Sequence, residues 1–320
     1  MRVLFGIFAL SSVACTPGYI ASSLPPARGV NIEQIVGDAR TFADDSLRGR
    51  GPWTPENTRV ARMLARRLEE LGARPIVGSS LLVPFVVPQR AGDTVFNVVG
   101  VLPNRAGTTA GRLVGITAHL DHLGVGRPDS TGDSIYNGFL DDAIGMAMSL
   151  DVARRYRDNP GEKALLVMFF NLEEQGLLGS RAFVERPDAP PLLARMDLLI
   201  GVDAGSPAGE ALDWQLMGGL PEHAGTRLAD SLARARGWST VSSPPRAISD
   251  VYPFSQKGVP ILFPIPGQRW RDYMPQDRSA AMRRFDHYHQ PGDEYDPAFP
   301  TIGTEFFAQW LWQIIGGASR

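Results

Sequence analysis

The sequence predicts an α/β protein, a three-layer sandwich in which helices flank a mixed, mostly parallel central sheet. Several short segments are almost continuously apolar, as expected of strands that are covered on both faces. Segments with helical periodicity alternate with these runs, which is the order that a parallel sheet requires. The 320 residues are 43% hydrophobic and 21% charged, the ordinary composition of one large domain with a sizeable core.

The elements can be placed in order along the chain. The first helix is expected to open at 31–36, and the second at 55–72, where Val60, Leu64 and Leu68 fall at helical spacing. Predicted strands are 95–102, 113–118, 164–170, 198–202 and 260–263. Further helices are predicted at 142–156, at 224–235 and at the C-terminus, whose core side chains are Phe306, Phe307, Trp310, Leu311 and Ile314. The tract 264–296 exceeds the usual loop length of about a dozen residues, which favours a functional loop.

The start of the chain has the features of a secretory leader. Arg2 precedes the apolar run 3–10, which is too short to cross a bilayer, and small residues precede Cys15. These small residues fit an ordinary cleavage site after Ala14, but they also resemble the bacterial lipoprotein signal, although Ser12 replaces its usual leucine. We favour a lipid anchor at Cys15, and the alternative is a cysteine within a removed leader.

The chain therefore divides into a leader at 1–15, a tether at 16–29 and a single domain at 30–320. The tether is rich in Pro, Ser, Ala and Gly, which is typical of a flexible linker. Export is expected, to the periplasm, to the outer membrane through the lipid anchor, or into the medium. Because Cys15 is the single cysteine, the mature domain has no disulfide.

The charge pattern bears on the partners. The net charge is −2 and acidic and basic residues are interspersed, so no basic stripe favours nucleic acid. A small molecule or a peptide is the expected substrate.

Side chains that bind metals stand where several predicted strands end. His119 closes one strand and is followed by Asp121, Glu173 and Glu174 follow another, and Asp203 follows a third. Because the carboxyl ends of parallel strands open into one crevice, these side chains are expected to meet. Two further candidates complete the set, Asp141 before a helix and His289 in the long loop. Two histidines with several carboxylates form a ligand set that suits zinc.

Several of these residues have alternative interpretations. Asp141 and Asp142 precede a helix, where one carboxylate is commonly a cap rather than a ligand. Adjacent side chains diverge, so Glu173 and Glu174 are expected to divide into one ligand and one base, and spacing does not say which. The Asp121 carboxylate is expected to orient the His119 ring, and His122 is assigned a structural role.

The chain resembles the secreted bacterial zinc aminopeptidases with a co-catalytic metal pair, a family related to glutamate carboxypeptidases and glutaminyl cyclases. The matching segments are 118–124 (AHLDHLG), 138–145 (GFLDDAIG), 171–180 (NLEEQGLLGS) and 288–293 (YHQPGD), with weaker matches at 47–51, 249–250 and 257–260. The resemblance covers nearly everything after the tether.

The resemblance implies a role for each candidate residue. His119 and Asp203 would bind one zinc ion, Glu174 and His289 a second, and Asp141 would bridge the two. Asp121 would lie behind His119, and the peptide bond after Asp141 would be cis. Glu173 would be the general base for a hydroxide held between the ions, which would hydrolyse the N-terminal peptide bond of a peptide.

The sequence also departs from the family pattern. Val251 replaces a usual histidine, Ile144 a usual serine, and Phe139 and Leu140 are bulky for their turn. Arg246 lies near the place where some relatives have a substrate-binding aromatic hydroxyl, and together with Arg269 and Arg271 it is a candidate partner for a substrate carboxylate, although solvated loop charges are the simpler interpretation of the last two.

These departures leave alternatives open. They are a carboxypeptidase or dipeptidase of the same family, a single-zinc acyltransferase resembling glutaminyl cyclase, and an inactive binding protein of the same fold.

Overall fold

The computed structural model describes residues 29–90, 92–203, 209–271, 287–297 and 301–320. The predicted leader, including Cys15, and the predicted tether up to residue 28 lie outside the described residues. Within the described ranges, no helix is both long enough and apolar enough to cross a bilayer.

Eight α-helices and ten strands are described. The helices are α1 (Ile32–Phe42), α2 (Pro55–Glu70), α3 (Ile144–Asp158), α4 (Leu178–Val184), α5 (Ala189–Leu193), α6 (Ala224–Ala235), α7 (Val251–Ser255) and α8 (Ile302–Ala318). The strands are β1 (Leu82–Val86), β2 (Thr94–Leu102), β3 (Leu113–His119), β4 (Gly124–Val125), β5 (Ile135–Tyr136), β6 (Ala164–Phe170), β7 (Met196–Gly201), β8 (Asp213–Met217), β9 (Ser239–Ser243) and β10 (Ile261–Pro266). Short 3-10 segments cover Asp45–Arg50 and Pro88–Arg90, and a single π-helical turn covers Phe139–Ala143.

Eight strands form one mixed sheet in the order β1-β2-β6-β3-β7-β10-β8-β9. The four central strands β6, β3, β7 and β10 run parallel to one another. Antiparallel pairing joins β1 to β2, β2 to β6, and β10 to β8, while β8 and β9 are parallel. β4 and β5 form a separate antiparallel pair. The predicted mixed, mostly parallel sheet is confirmed.

Both faces of the sheet are buried, which gives the three predicted layers. Along β6, Leu165, Val167 and Phe169 belong to one core cluster and the alternate side chains to the other. The first cluster contains residues of α1, α2, α3, α6 and α8. The second contains residues of α4, α5 and α7. Since central strands are apolar on both sides, the near-continuous apolar runs in the sequence are explained.

The long helices begin at the expected signals. Asn31 accepts a hydrogen bond from the Gln34 amide at the start of α1, and Thr54 accepts one from the Asn57 amide before Pro55 begins α2. The C-terminal helix buries Trp310 against Trp214, Trp238 and Phe307, so its aromatic side chains are core residues as predicted.

Candidate metal centre

Several candidate ligands lie at the carboxyl ends of adjacent parallel strands, on one side of the sheet. His119 is the last residue of β3, Glu173 and Glu174 follow the end of β6, and Asp203 follows the end of β7. Because β6, β3 and β7 are adjacent and parallel, these ends lie side by side. Asp141 enters from the π-helical turn before α3.

The first group of donors surrounds one oxygen of Asp141. His119 Nε2 lies 2.9 Å from Asp141 Oδ1 and 3.7 Å from Asp203 Oδ1. The three donor atoms lie within 4.8 Å of one another, and His119 and Asp141 are buried. This geometry can hold a metal ion.

The second group surrounds the other oxygen of Asp141. His289 Nε2 lies 3.2 Å from Asp141 Oδ2 and 3.1 Å from Glu174 Oε2. His122 Nδ1 lies 2.7 Å from Glu174 Oε1 and 3.8 Å from Asp141 Oδ2. Asp141 therefore stands between the two groups and presents one oxygen to each.

The separations fit the ligand shell of a small divalent cation. Ligand atoms at about 2.0–2.2 Å from a tetrahedral zinc ion lie roughly 3.3–3.6 Å apart. Three of the four separations, 2.9, 3.1 and 3.2 Å, lie slightly below this range, and the fourth, 3.7 Å, lies slightly above it. Asp141 Oδ2 and His289 Nε2 are buried atoms without a hydrogen-bond partner among the described residues. Unpaired atoms that converge in this way are suited to binding a shared cation.

Electrostatics distinguish the two glutamates that spacing leaves equivalent. Burial and the nearby Asp203 carboxylate raise the pKa of Glu173 to about 10. Burial also favours a higher pKa for Glu174, but the hydrogen bond from His122 and the close imidazole of His289 outweigh burial and lower this pKa to about 2. Glu174 lies with His122 and Asp141 in a group that could hold a metal ion, and Glu173 lies in neither such group of the described residues.

Neither aspartate of the π-helical turn caps the following helix. The N-cap residue of α3 is Ala143, and no side chain caps the helix there. The Asp142 Oδ2 atom instead accepts a hydrogen bond from the His119 amide. The Asp141–Asp142 peptide bond is cis, as the resemblance implies. Burial would raise the pKa of Asp141, but the imidazoles of His119 and His289 outweigh burial and hold it below the usual value. The capping interpretation of Asp141 is therefore wrong.

Asp121 contacts His119 in a different way from the expected one. His119 Nδ1 lies 3.1 Å from the main-chain carbonyl oxygen of Asp121, whereas its carboxylate Oδ1 is 3.9 Å away. The carboxylate instead accepts a hydrogen bond of 3.0 Å from the Glu173 amide. Asp121 thus orients the ring through its backbone and holds the segment of Glu173 and Glu174 through its side chain.

Arg50, which the sequence does not single out, organises the turn that carries Asp141. Its side chain is fully buried and donates to five main-chain carbonyl groups, those of Phe42, Leu120, Asn137, Gly138 and Asp141. The Asp293 carboxylate completes the support, since it accepts hydrogen bonds from the Leu140 and Asp141 amides.

Three buried asparagines connect this support to the segment after β6. Asn57 donates to the Arg50 carbonyl, and its amide exchanges two hydrogen bonds with the Asn171 amide, at 3.0 and 2.7 Å. Asn97 accepts from the Asn171 backbone amide and donates to the Gly179 carbonyl. The segment that carries Glu173 and Glu174 is therefore tied to the turn that carries Asp141.

Three more residues near the donors were not predicted. His122 contacts Glu174 rather than serving packing alone. Tyr288 stacks on the His289 ring with centroids 3.9 Å apart, and burial with the nearby Asp141 carboxylate raises the pKa of its hydroxyl. Asp250 is buried, and burial raises its pKa to about 8. Tyr288 and Asp250 lie within the segments 288–293 and 249–250 quoted for the resemblance, which is the signal that could have identified their roles.

The candidate carboxylate-binding arginines differ in their surroundings. Arg271 Nε donates to Glu210 Oε2 at 2.6 Å, and Arg269 Nη2 donates to Ser239 Oγ at 2.6 Å. Both are therefore engaged by other side chains of the chain. Arg246 is exposed.

The comparisons with known proteins agree with this geometry. The family model described as "Peptidase family M28" matches residues 97–308, well over half of the chain. The chain belongs to peptidase family M28. The family resemblance seen in the sequence is confirmed.

Solved structures of other proteins have the same fold as this chain. The zinc aminopeptidase BSAP from Bacillus subtilis is 13% identical, with a TM-score of 0.67 over 90% of this chain and 95% of that one. The LapA aminopeptidase of Legionella pneumophila is 16% identical, with a TM-score of 0.64 over 90% of this chain and 72% of that one.

A curated relative matches a shorter part of this chain than the family model does. It is a vacuolar membrane protease of Schizosaccharomyces japonicus, 37% identical over 78 residues, which are 24% of this chain. The match spans 9% of the length of that relative.

Proposed function

We propose that this chain is a zinc-dependent aminopeptidase that binds two zinc ions. The observation that carries the proposal is the position of Asp141, whose two oxygens face separate groups of donors. His119 and Asp203 would complete one site, and Glu174 and His289 the other. Membership of a peptidase family and the fold shared with aminopeptidases support the reaction class.

The carboxylates of the site favour bound cations, which would offset their negative charge. Four carboxylates, those of Asp141, Glu173, Glu174 and Asp203, lie close enough to perturb one another's pKa values. Uncompensated burial of several anions is costly, and two divalent cations would offset it. When bound, such a pair supplies an activated water and polarises a scissile carbonyl.

The position of Glu173 suits it to accept and donate the proton of the reaction. It lies outside both donor groups, and its backbone is fixed by the Asp121 carboxylate. A carboxylate held beside the donors, yet not used as a ligand, can accept a proton from the attacking water and return it to the leaving amine. We assign it as general base.

The experiment that tests the function combines metal content with substrate choice. The purified chain is expected to bind two zinc ions and to hydrolyse amino-acid anilides and dipeptides that have a free amino terminus. Matched substrates with an acetylated amino terminus should be inert. Cleavage of the acetylated set would contradict the aminopeptidase assignment and favour a carboxypeptidase. A single zinc ion with acyl transfer would favour the cyclase-like alternative.

We propose in addition that the protein is exported and anchored by a lipid on Cys15. The apolar run 3–10 and the small residues before Cys15 support this proposal. Cells that express the full chain should incorporate labelled fatty acid into it, and Cys15→Ser should abolish the label. Labelling that persists in Cys15→Ser would exclude this anchor.

A further inference from the structure

His122 and His289 contact different oxygens of the same carboxylate. His122 Nδ1 lies 2.7 Å from Glu174 Oε1, and His289 Nε2 lies 3.1 Å from Glu174 Oε2. An ionised carboxylate only accepts hydrogen bonds, so His122 must donate its Nδ1–H to Oε1. The second oxygen, Oε2, then remains as the atom that can face a metal ion together with His289 and Asp141.

The His122 ring is held in place. It is fully buried, and its edge faces the His289 ring with centroids 5.7 Å apart. Gly138 has a φ of +59°, and a Cβ atom there would lie 2.6 Å from His122 Cδ2, so this backbone packs directly against the ring. His122 cannot turn away from Glu174 without displacing the turn that carries Asp141.

The His122 ring contacts the site through Nδ1. Its Nε2 atom is buried and has no hydrogen-bond partner among the described residues. Nδ1 lies close enough to Asp141 and Glu174 to share a metal ion with them. Its shortest contact, however, is the 2.7 Å hydrogen bond to Glu174 Oε1, against 3.8 Å to Asp141 Oδ2, so the geometry favours a hydrogen-bonding role.

We propose that His122 is a positioning residue that makes Glu174 a one-oxygen ligand and thereby sets the affinity of the second metal site. This inference rests on the proposed two-zinc function. Partners that hold a ligating group typically change metal affinity by about 10–100-fold. The first site, with His119 and Asp203, has its own donors and should be unaffected.

The test compares two variants of the same shape. His122→Asn keeps a donor nitrogen close to the position of Nδ1, whereas His122→Leu has the same branching and no donor. Zinc affinities are measured by competition with a chelator, and occupancy of each site is followed by Co²⁺ absorption. We expect His122→Leu to weaken the second ion by about 10–100-fold and leave the first unchanged, and His122→Asn to restore most of the loss.

Controls separate this inference from the function on which it rests. Thermal melting of the metal-free variants checks the fold, and His223→Leu at the start of α6 should bind two ions as the parent does. Fewer than two ions in the parent chain would refute the proposed function. Two ions in the parent but unchanged affinity in His122→Leu, or equal losses at both sites, would overturn the role of His122.

One outcome would assign His122 differently. If His122→Asn loses the second ion as fully as His122→Leu does, the ring itself is a ligand and the positioning role is wrong. The His122→Asn variant alone decides this point if His122→Leu does not fold, because a ligand role and a donor role predict opposite results for it.

Discussion

At the scale of single residues, Glu173 and Glu174 show how position separates chemically identical neighbours. Glu174 contacts two imidazoles, those of His122 and His289, and its pKa falls to about 2, which favours the anionic form that a metal ion requires. Glu173 is half-buried near other carboxylates, and its pKa rises to about 10. A group with a raised proton affinity is suited to accept a proton, and cations nearby would bring its pKa back towards neutrality.

Replacement of Glu173 by glutamine should remove the base without removing the metals. We expect Glu173→Gln to lower kcat by about 10²–10⁴-fold, since general base catalysis typically contributes that much. Zinc content should stay at two ions per chain. Steady-state kinetics and metal analysis on one preparation measure both quantities. Glu174→Gln is the matched variant and should lose the second ion, and turnover at the parent rate in Glu173→Gln would remove the proposed base.

At the scale of elements, the segments that carry the candidate metal ligands are held by side chains from the amino-terminal region, Arg50 and Asn57. Arg50 binds five carbonyl groups around the Asp141 turn, and Asn57 links the Arg50 backbone to Asn171. Every one of these polar groups is buried and cannot hydrogen-bond to water, so its partners must come from the protein itself. The support therefore depends on complete pairing.

Removal of the Asn57 amide should be costly for this reason. Asn57→Leu keeps the shape but removes three buried hydrogen bonds, the one to the Arg50 carbonyl and the two exchanged with Asn171. Each is expected to contribute about 0.5–1.5 kcal/mol. We expect the free energy of unfolding of the metal-free protein to fall by about 2–4 kcal/mol in urea titration. Gln256→Leu on the surface should change it by less than about 0.5 kcal/mol. Equal effects of the two variants would show that the network does not stabilise the fold.

The same elements show what the sequence can predict. β2, β3 and β6 were found because strands buried on both faces are continuous apolar runs. β8 and β9 were missed because β8 is short and β9, with sequence STVSS, is exposed at the edge of the sheet and carries little apolar signal. Arg50 lies in the weaker family match at 47–51, but its role was missed because its partners are carbonyl groups, which every residue has.

At the scale of the whole molecule, bound metal is expected to add to stability. Zinc at about a hundred times its dissociation constant stabilises a folded protein by roughly 2.7 kcal/mol per site. We expect chelation to lower the melting temperature by roughly 5–10 °C, measured by calorimetry with and without chelator. His119→Ala, which lacks a first-site donor, should show a smaller difference. A parent melting temperature that chelator does not change would argue against tight metal binding.

Stability should also depend on pH through Asp151 in α3. Burial raises the pKa of Asp151 to about 6 from 3.8, against the influence of Arg155. The folded state thus binds this proton more tightly than the unfolded chain, so the carboxyl costs stability as pH rises from about 4 to about 6. Asp151→Asn should match the parent below pH 4 and exceed it by about 1–3 kcal/mol above pH 6, measured by urea titration across this range. A constant difference at all pH values would contradict this.

The position of Arg50 has a practical consequence for anyone who dissects or transplants this domain. The family match begins at residue 97, yet the guanidinium that binds the Asp141 turn comes from residue 50. A fragment trimmed to the matched region would contain all five candidate ligands, but the buried carbonyl groups of Leu120, Asn137, Gly138 and Asp141 would lose their hydrogen bonds from Arg50. Grafting the ligands onto another scaffold would therefore also require a substitute for this arginine.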